Sequence, residues 1–273
     1  MENGTITYTQ LLREDLGIFR VTPDDGVPDF KAGQFLTLGL PLESKIVNRA
    51  YSIASSPENK EYVEFVIRWV RKPLPGRLTS LLFNAKEGDK ISWAKPAGNL
   101  TINDTLPNGE KDTRRIVCIG GGTGLAPFVS FAQHLHDTND KREIVVLHGA
   151  SYVDELSYKD LLTGLEDESI SKGKDKWNFK YRAAISRPQE WTNRAWHGHK
   201  GRIEQFLRTS DSGKSPLEEL VGEKITKDNT IFYVCGWQGT IDGVMDYLKA
   251  KNFVTEKNKR EDGSYEIKFE SYG

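Results

Sequence analysis

The sequence predicts two folds in series: an antiparallel β-barrel up to about residue 110, then an α/β domain built on a doubly wound parallel sheet. Three observations carry this. The first hundred residues run as short strands at roughly ten-residue spacing, separated by turn signals. The stretch TINDTLPNGEKDTRR (101–115) is polar and rich in turn formers. Beyond it, strands and helices alternate, which is the pattern of parallel βαβ units. The expected domains are 1–110 and 111–273.

In the first domain the strand signals include GQFLTLGL (33–40), RAYSIAS (49–55), YVEFVIRWV (62–70) and DKISWAK (89–95). One helical interruption is expected at 78–84, where TSLLFN follows a glycine. RAYSIAS reads as a buried strand, because Ala50, Ile53 and Ala54 are small or apolar and Ser55, Ser56 and Pro57 end it. It nevertheless keeps Arg49 and Tyr51. Residues two apart on a strand share a face, so the guanidinium and the phenol lie together with Ser52 on the other side. A fork that binds phosphate beside a flat ring is a cradle for a nucleotide-like ligand. An exposed strand whose arginine pairs with a surface carboxylate is the alternative.

In the second domain RRIVCIG (114–120) is an apolar strand and TGLAPFVSFAQHLHD (123–137) has helical spacing. REIVVLHGA (142–150), a helix at 154–165, NFKYRAAI (178–185), IFYVCG (231–236) and a helix at 240–251 follow. The charged, serine-rich 207–229 reads as a surface helix or loop insertion. YEIKFESYG (265–273) alternates like a final core strand tied down to its end, with Glu270 and Tyr272 facing the same way.

The chemistry concentrates at strand ends. IVCIGGGTGLAPF (116–128) is strand, glycine turn and helix start: Gly120, Gly121, Gly122 and Gly124 let the backbone approach a ligand, and Pro127 suits a first helical turn. It is not the spaced G-x-G-x-x-G fingerprint. YVCGWQGTIDGVMDYL (233–248) repeats the architecture, with Cys235 and Gly236 at the carboxyl end of a strand, where open α/β sheets bind ligands; an inert buried thiol is the alternative. ISRPQEW and HKGRIEQF place Ser186, Arg187 and Arg202 near neighbouring strand ends, a set able to clamp an extra phosphate such as a ribose 2′-phosphate, or else ordinary surface arginines. His197 and His199 flank a glycine without a third ligand, so no metal site is expected.

Composition bounds the rest. Charged residues are 28%, hydrophobic residues 37% and net charge −1, so nothing global points to nucleic acid or a membrane surface. Between 68 and 95 the bias is local: Arg68, Arg71, Lys72, Arg77, Lys86, Lys90 and Lys95 stand against Glu87 and Asp89, a solvated face or a docking patch for an acidic partner. Cys118 and Cys235 are too few for an iron–sulfur site or a disulfide framework and fit a reducing cytoplasm. MENGTITYTQ shows no secretory signal, and 116–132 is too short and too glycine-rich to span a bilayer.

Taken together, RAYSIAS, G-R-L-T-S (76–80), GGGTGLAPF, HGAS with ELSY (148–158), ISR, GRI, VCGWQG and the terminal FESY resemble the ferredoxin/flavodoxin–NADP+ reductases, the bacterial branch above all, over nearly the whole chain. The resemblance implies FAD held by Arg49 on the pyrophosphate, by Tyr51 packed on the isoalloxazine, and by Ala50 and Ser52 beside them. It adds the helix start Gly76, Arg77, Leu78 and Thr79, also to the pyrophosphate, then Thr123 near the flavin and the nicotinamide, and Tyr272 with Gly273 over the flavin's other face. For NADP(H) it implies Thr123, Gly124, Ala150, Ser151, Gln238, Thr240, Cys235 beside the reacting nicotinamide carbon with Gly236, and Ser186, Arg187 and Arg202 at the 2′-phosphate. The catalytic set is Ser52, Cys235, Glu270 and Tyr272. Two departures stand out: Ser151 replaces an arginine frequent after HGV, and Gly273 replaces a terminal tryptophan.

The expected function is an FAD enzyme that exchanges hydride with NADP(H) and single electrons with a small acidic carrier, ferredoxin or flavodoxin. It is expected to act as a cytoplasmic monomer without nucleic acid or an integral membrane anchor. The 68–95 stretch would then steer the carrier. The alternatives are a flavin reductase or oxygenase reductase on the same scaffold, and a nucleotide-binding regulatory subunit without turnover.

Overall fold

The computed structural model describes residues 2–71, 76–211 and 213–272; Lys72 and Gly273, both given roles above, lie outside the described residues. The chain divides into two compact units. One comprises the residues up to Ile102 together with Ala126–Thr138; the other comprises Asn103–Leu125 and the residues from Asn139 on.

The first unit carries β1 (Gly4–Arg13), β2 (Leu16–Pro23), β3 (Phe35–Leu42), β4 (Lys45–Ser52), β5 (Val63–Arg68), helix α1 (Arg77–Leu82) and β6 (Lys90–Trp93). The strands pair antiparallel in the order β4-β3-β6-β1-β2-β5. Just beyond β4 the Ala54 N–H donates to the Glu64 carbonyl of β5 at 2.8 Å, so the two edges meet and leave little edge unpaired. Alternate residues, among them Ile6, Phe19, Leu36, Leu38, Val63, Phe65 and Ile91, point inward as one apolar core. The long helix α2 (Ala126–Asp137) belongs to this unit. Ser130 Oγ donates to the Ser55 carbonyl at 2.7 Å and the Gln133 amide to the Ala54 carbonyl at 2.9 Å.

In the second unit β7 (Arg115–Gly121), β8 (Ile144–Ala150), β9 (Phe179–Ile185), β10 (His199–Lys200), β11 (Thr230–Gly236) and β12 (Ile267–Ser271) all pair parallel, in the order β10-β9-β8-β7-β11-β12. Strands after β7 add on one side as far as β10, and the chain then returns to lay β11 and β12 on the other side. The order therefore reverses between β7 and β11, and the carboxyl ends of those two strands form the switch point at which such sheets bind ligands. Every residue of β7 and β11 is buried, the continuous apolar run required of a strand covered on both faces.

Three sequence expectations change. RAYSIAS is not a buried strand: Arg49 and Ala50 are exposed, Tyr51 and Ser52 half-buried, and burial begins only at Ile53, because β4 lies at the sheet edge. The helix expected at 154–165 is a short 3₁₀ turn at Val153–Glu155 followed by α3 (Lys159–Lys172); Tyr158, held left-handed at φ 59°, breaks the two apart. The 207–229 segment is not a surface insertion. Within it α4 (Pro216–Val221) is closed by a Ser215–Glu218 capping box, and Leu217 and Ile225 enter the core beside Val244 and Leu248 of α5 (Gln238–Ala250).

Candidate active site

The register of β4 settles which side chains share a face. Arg49 lies opposite Leu38 and Tyr51 opposite Leu36, so the guanidinium and phenol stand on one side, while Ser52 is opposite Phe35. Arg49 donates to the Asn48 carbonyl at 2.8 Å and has no carboxylate partner among the described residues, so the surface ion pair weighed from sequence is not what this fold builds. Tyr51 packs against the barrel core, yet its hydroxyl is buried and makes no hydrogen bond among the described residues. Burial pushes this phenol up to about 12 against the opposing pull of Arg49. A guanidinium without a carboxylate beside a phenol without a hydrogen bond fits a large, partly polar ring system carrying phosphate. At α1 the Gly76 N–H donates to the Val70 carbonyl at 3.0 Å, and no side chain caps the first turn, Arg77, Leu78 and Thr79, of which Leu78 is buried in the core.

The basic bias of 68–95 is largely compensated. Arg68 pairs with Asp15 at 3.0 Å, Arg71 with Glu14 at 3.3 Å and Lys90 with Asp24 at 2.9 Å. The acids come from the β1–β2 turn and the end of β2, distant in sequence, which is why the local count misleads. Arg77, Lys86 and Lys95 remain exposed without a carboxylate partner among the described residues.

In the second unit the switch point gathers the residues singled out from both glycine motifs. Cys235 is opposite Gly120 on β7 and opposite Glu270 on β12. A Cβ on Gly124 would lie 2.3 Å from the Cys235 carbonyl oxygen and 2.6 Å from the Tyr272 hydroxyl, and one on Gly121 would lie 2.9 Å from Thr240 Oγ1. Only glycine permits this approach of loop to strand end. Thr123 Oγ1 donates to the Tyr272 hydroxyl at 3.3 Å. Tyr272 is half-buried, with its N–H donating to the Gly236 carbonyl at 3.4 Å. Cys235 is fully buried, and burial, with the Glu270 carboxylate beside it, pushes its thiol up, so it stays protonated. Burial likewise raises the Glu270 carboxyl.

The phosphate candidates form a second group along the same edge. The Ser186 N–H donates to the Ala150 carbonyl at 2.9 Å, and Ser186 and Arg187 are exposed. Arg187 donates to the Tyr152 hydroxyl at 2.7 Å and lies over that ring. Arg202 donates to the Gly239 carbonyl at 3.0 Å and is ion-paired with Glu204. The Ser151 N–H is taken by the Glu155 carboxylate at 3.0 Å, and exposed Gln238 donates to Asp242 at 2.7 Å.

Sequence reasoning missed the supports. Asn193, 1% exposed, accepts from Val153 N–H at 2.9 Å and donates to the Ser151 carbonyl at 3.0 Å and the Arg187 carbonyl at 2.8 Å, tying two loops together. Neither Asn193 nor Tyr152 stands in a recognisable motif; only the folded loops bring them to Arg187. Glu204, two residues past Arg202, was the one legible signal.

Residues 4–102 match the family model described as Oxidoreductase FAD-binding domain, and residues 118–246 match the Oxidoreductase NAD-binding domain. Fold and site thus define an FAD-dependent NAD(P)H oxidoreductase. A ferredoxin–NADP reductase of Azotobacter vinelandii is 30% identical over 240 residues, covering 87% of this chain and 85% of that one. One from Pseudomonas aeruginosa is 37% identical over 146 residues, 53% of each chain, so this match spans about half the relative's length. Among solved structures, a ferredoxin NADP+ reductase from Neisseria gonorrhoeae with bound FAD and NADP has a TM-score of 0.76 at 22% identity, over 98% of this chain and 97% of that one, a likeness of fold. The chain belongs to the ferredoxin/flavodoxin–NADP reductase family. Among the described residues no helix is long and apolar enough to cross a membrane.

Proposed function

We propose that this chain is a ferredoxin (flavodoxin)–NADP+ reductase, with FAD held by a domain at 1–110 and NADP(H) by one at 111–273. The observation that carries the reading is the cluster at the switch point, where Gly120, Thr123, Gly124, Cys235, Glu270 and Tyr272 meet within one unit. Flavin bound here would supply the redox chemistry that couples a two-electron donor to a one-electron carrier. The residues do the rest. Arg49 and the first turn of α1 with Arg77 would hold the pyrophosphate, and Tyr51, with Ala50 and Ser52 beside it, would hold the isoalloxazine. The amides at Gly121, Gly122, Thr123 and Gly124 cradle the nicotinamide nucleotide, with Thr240 behind them. Cys235 offers an un-ionised thiol to the nicotinamide. Glu270 keeps its proton to higher pH than an ordinary glutamate, so it can hold or release it at the carboxyl as charge shifts nearby. Tyr272, held at Thr123 and Gly124, would leave the turn to admit the nicotinamide.

Arg187, Arg202 and Ser186 receive the 2′-phosphate, with Ala150, Ser151, Gly236 and Gln238 lining the approach. Lys86 and Lys95 give an acidic carrier its charge complement. The test is NADPH-dependent reduction of a dye, of ferredoxin and of flavodoxin by the purified yellow protein. Reduction of the dye and of at least one carrier is expected; reduction of the dye with neither carrier reduced would refute the carrier assignment.

A further inference from the structure

Of the two arginines at the phosphate edge, only one keeps its charge uncompensated. Arg187 is exposed and meets the hydroxyl and ring of Tyr152, both neutral, with no carboxylate partner among the described residues. Arg202 is different: its Nε is ion-paired with the Glu204 carboxylate and its Nη2 donates to the Gly239 carbonyl at 3.0 Å. Glu204 is 8% exposed and sits in the 3₁₀ helix Ile203–Leu207, which Arg202 caps.

The fold makes room for this carboxylate. A Cβ on Gly243 would lie 2.9 Å from Glu204 Oε1, and Gly243 is inside α5, where glycine is disfavoured relative to alanine. On the Arg187 side Glu155, also 8% exposed, occupies the Ser151 N–H and Tyr152 N–H at 3.0 and 3.3 Å, so a second carboxylate stands where a phosphate would otherwise find backbone donors. A phosphate dianion approaching this edge therefore meets two buried acids as well as two arginines, whereas a bare 2′-hydroxyl has no such charge to balance.

We propose that Glu204 is a specificity-determining residue that holds Arg202 in a neutralised pair and so narrows the preference for NADPH over NADH. The inference rests on the reading of Arg202 as a 2′-phosphate contact. It deepens that reading by assigning to Glu204 how far the chain discriminates between the two nicotinamide dinucleotides. Glu204 acts through Arg202, with which it is paired.

The test is Glu204→Gln, which keeps the shape and an acceptor for Arg202 while removing the charge. The ratio of kcat/KM for NADPH to that for NADH should rise about tenfold, the scale of one charge-assisted contact. In calorimetry without turnover, the affinity for 2′,5′-ADP relative to ADP should rise by the same factor. Gly243→Ala is the second variant. Its new methyl would stand 2.9 Å from the Glu204 Oε1 that pairs with Arg202 and displaces that carboxylate, so it should shift both ratios in the same direction, and it adds helix propensity instead of deleting a buried group. Ratios unchanged in both variants, or equal changes for the phosphorylated and unphosphorylated ligands, would overturn the proposal. Arg202→Ala separates the two levels: a parental preference for 2′,5′-ADP over ADP in that variant would show that the phosphate reading itself is wrong.

Discussion

Gly124→Ala tests whether the packing of the glycine turn on the β11 strand end is as tight as its geometry requires. The added methyl would stand 2.3 Å from the Cys235 carbonyl oxygen, 2.6 Å from its carbonyl carbon and 2.6 Å from the Tyr272 hydroxyl. Carbon contacts are optimal at about 3.5 Å, so more than 1 Å of room is missing. Tyr272 can give way, but the Cys235 carbonyl cannot, because β11 is paired to β7 on one side and β12 on the other. Overpacking against backbone should cost the upper part of the usual range, about 2–3 kcal/mol. At about 2–4 °C per kcal/mol this lowers the melting temperature of the second unit by roughly 4–12 °C. NADP+ titration should weaken in parallel as the turn is pushed out, while FAD content stays at parental level. Gly122→Ala is the contrast: nothing lies within 4 Å of its Cβ, and only the left-handed backbone at φ +57° is strained, roughly 1–2 kcal/mol. A Gly124→Ala protein with parental melting and parental NADP+ affinity would refute the packing and the site built on it.

Four further outcomes are expected. Arg49→Ala should weaken FAD retention by about 1.5–3 kcal/mol, read by flavin release on dilution; unchanged retention removes Arg49 from the site. Tyr272→Ser should bind NADP+ more tightly and turn over more slowly, because the phenol no longer rests on Gly124; an equal or weaker affinity in titration of the flavin spectrum would favour a purely capping role. Charge reversal of Lys86 and Lys95 should slow carrier reduction and flatten its salt dependence, with NADPH-to-dye activity kept; equal losses in both assays would point to damage elsewhere. His148, fully buried in β8 with Nδ1 3.3 Å from the Tyr181 hydroxyl, is pushed down to about 3 by burial. The unfolded imidazole gains a proton below its ordinary value of about 6.5 and the folded one does not. Its contribution is therefore complete above that pH and is lost as pH falls towards 3, at up to about 1.4 kcal/mol per pH unit. Urea titrations from pH 7 to pH 4 should show this slope in the parent and a shallower one in His148→Gln; identical slopes would exclude His148 as the source.

What the sequence determined by itself is what repeats locally. The apolar runs of β7 and β11 and the strand–glycine–helix texture at 116–128 and 233–248 are written in neighbouring residues, so the parallel sheet and the glycine turns at its carboxyl edge were legible. The shared face of Arg49 and Tyr51 followed from the period of two, and the register against Leu38 and Leu36 agrees with it. Tertiary structure decided burial and charge pairing. Nothing near RAYSIAS says that β4 lies at the sheet edge, since edge or centre depends on which strands pair. Nothing in 68–95 announces that Glu14, Asp15 and Asp24 neutralise its basic residues, because those acids arrive through the antiparallel pairing of β2 with β5 and β1 with β6. The two-residue β10, the break at Tyr158 and the Asn193 tie between loops carry no periodic signal at all. Periodicity encodes which face a residue takes, but an ion pair or an orphaned hydroxyl is fixed only when distant segments are brought together, and there the electrostatics of this site are set.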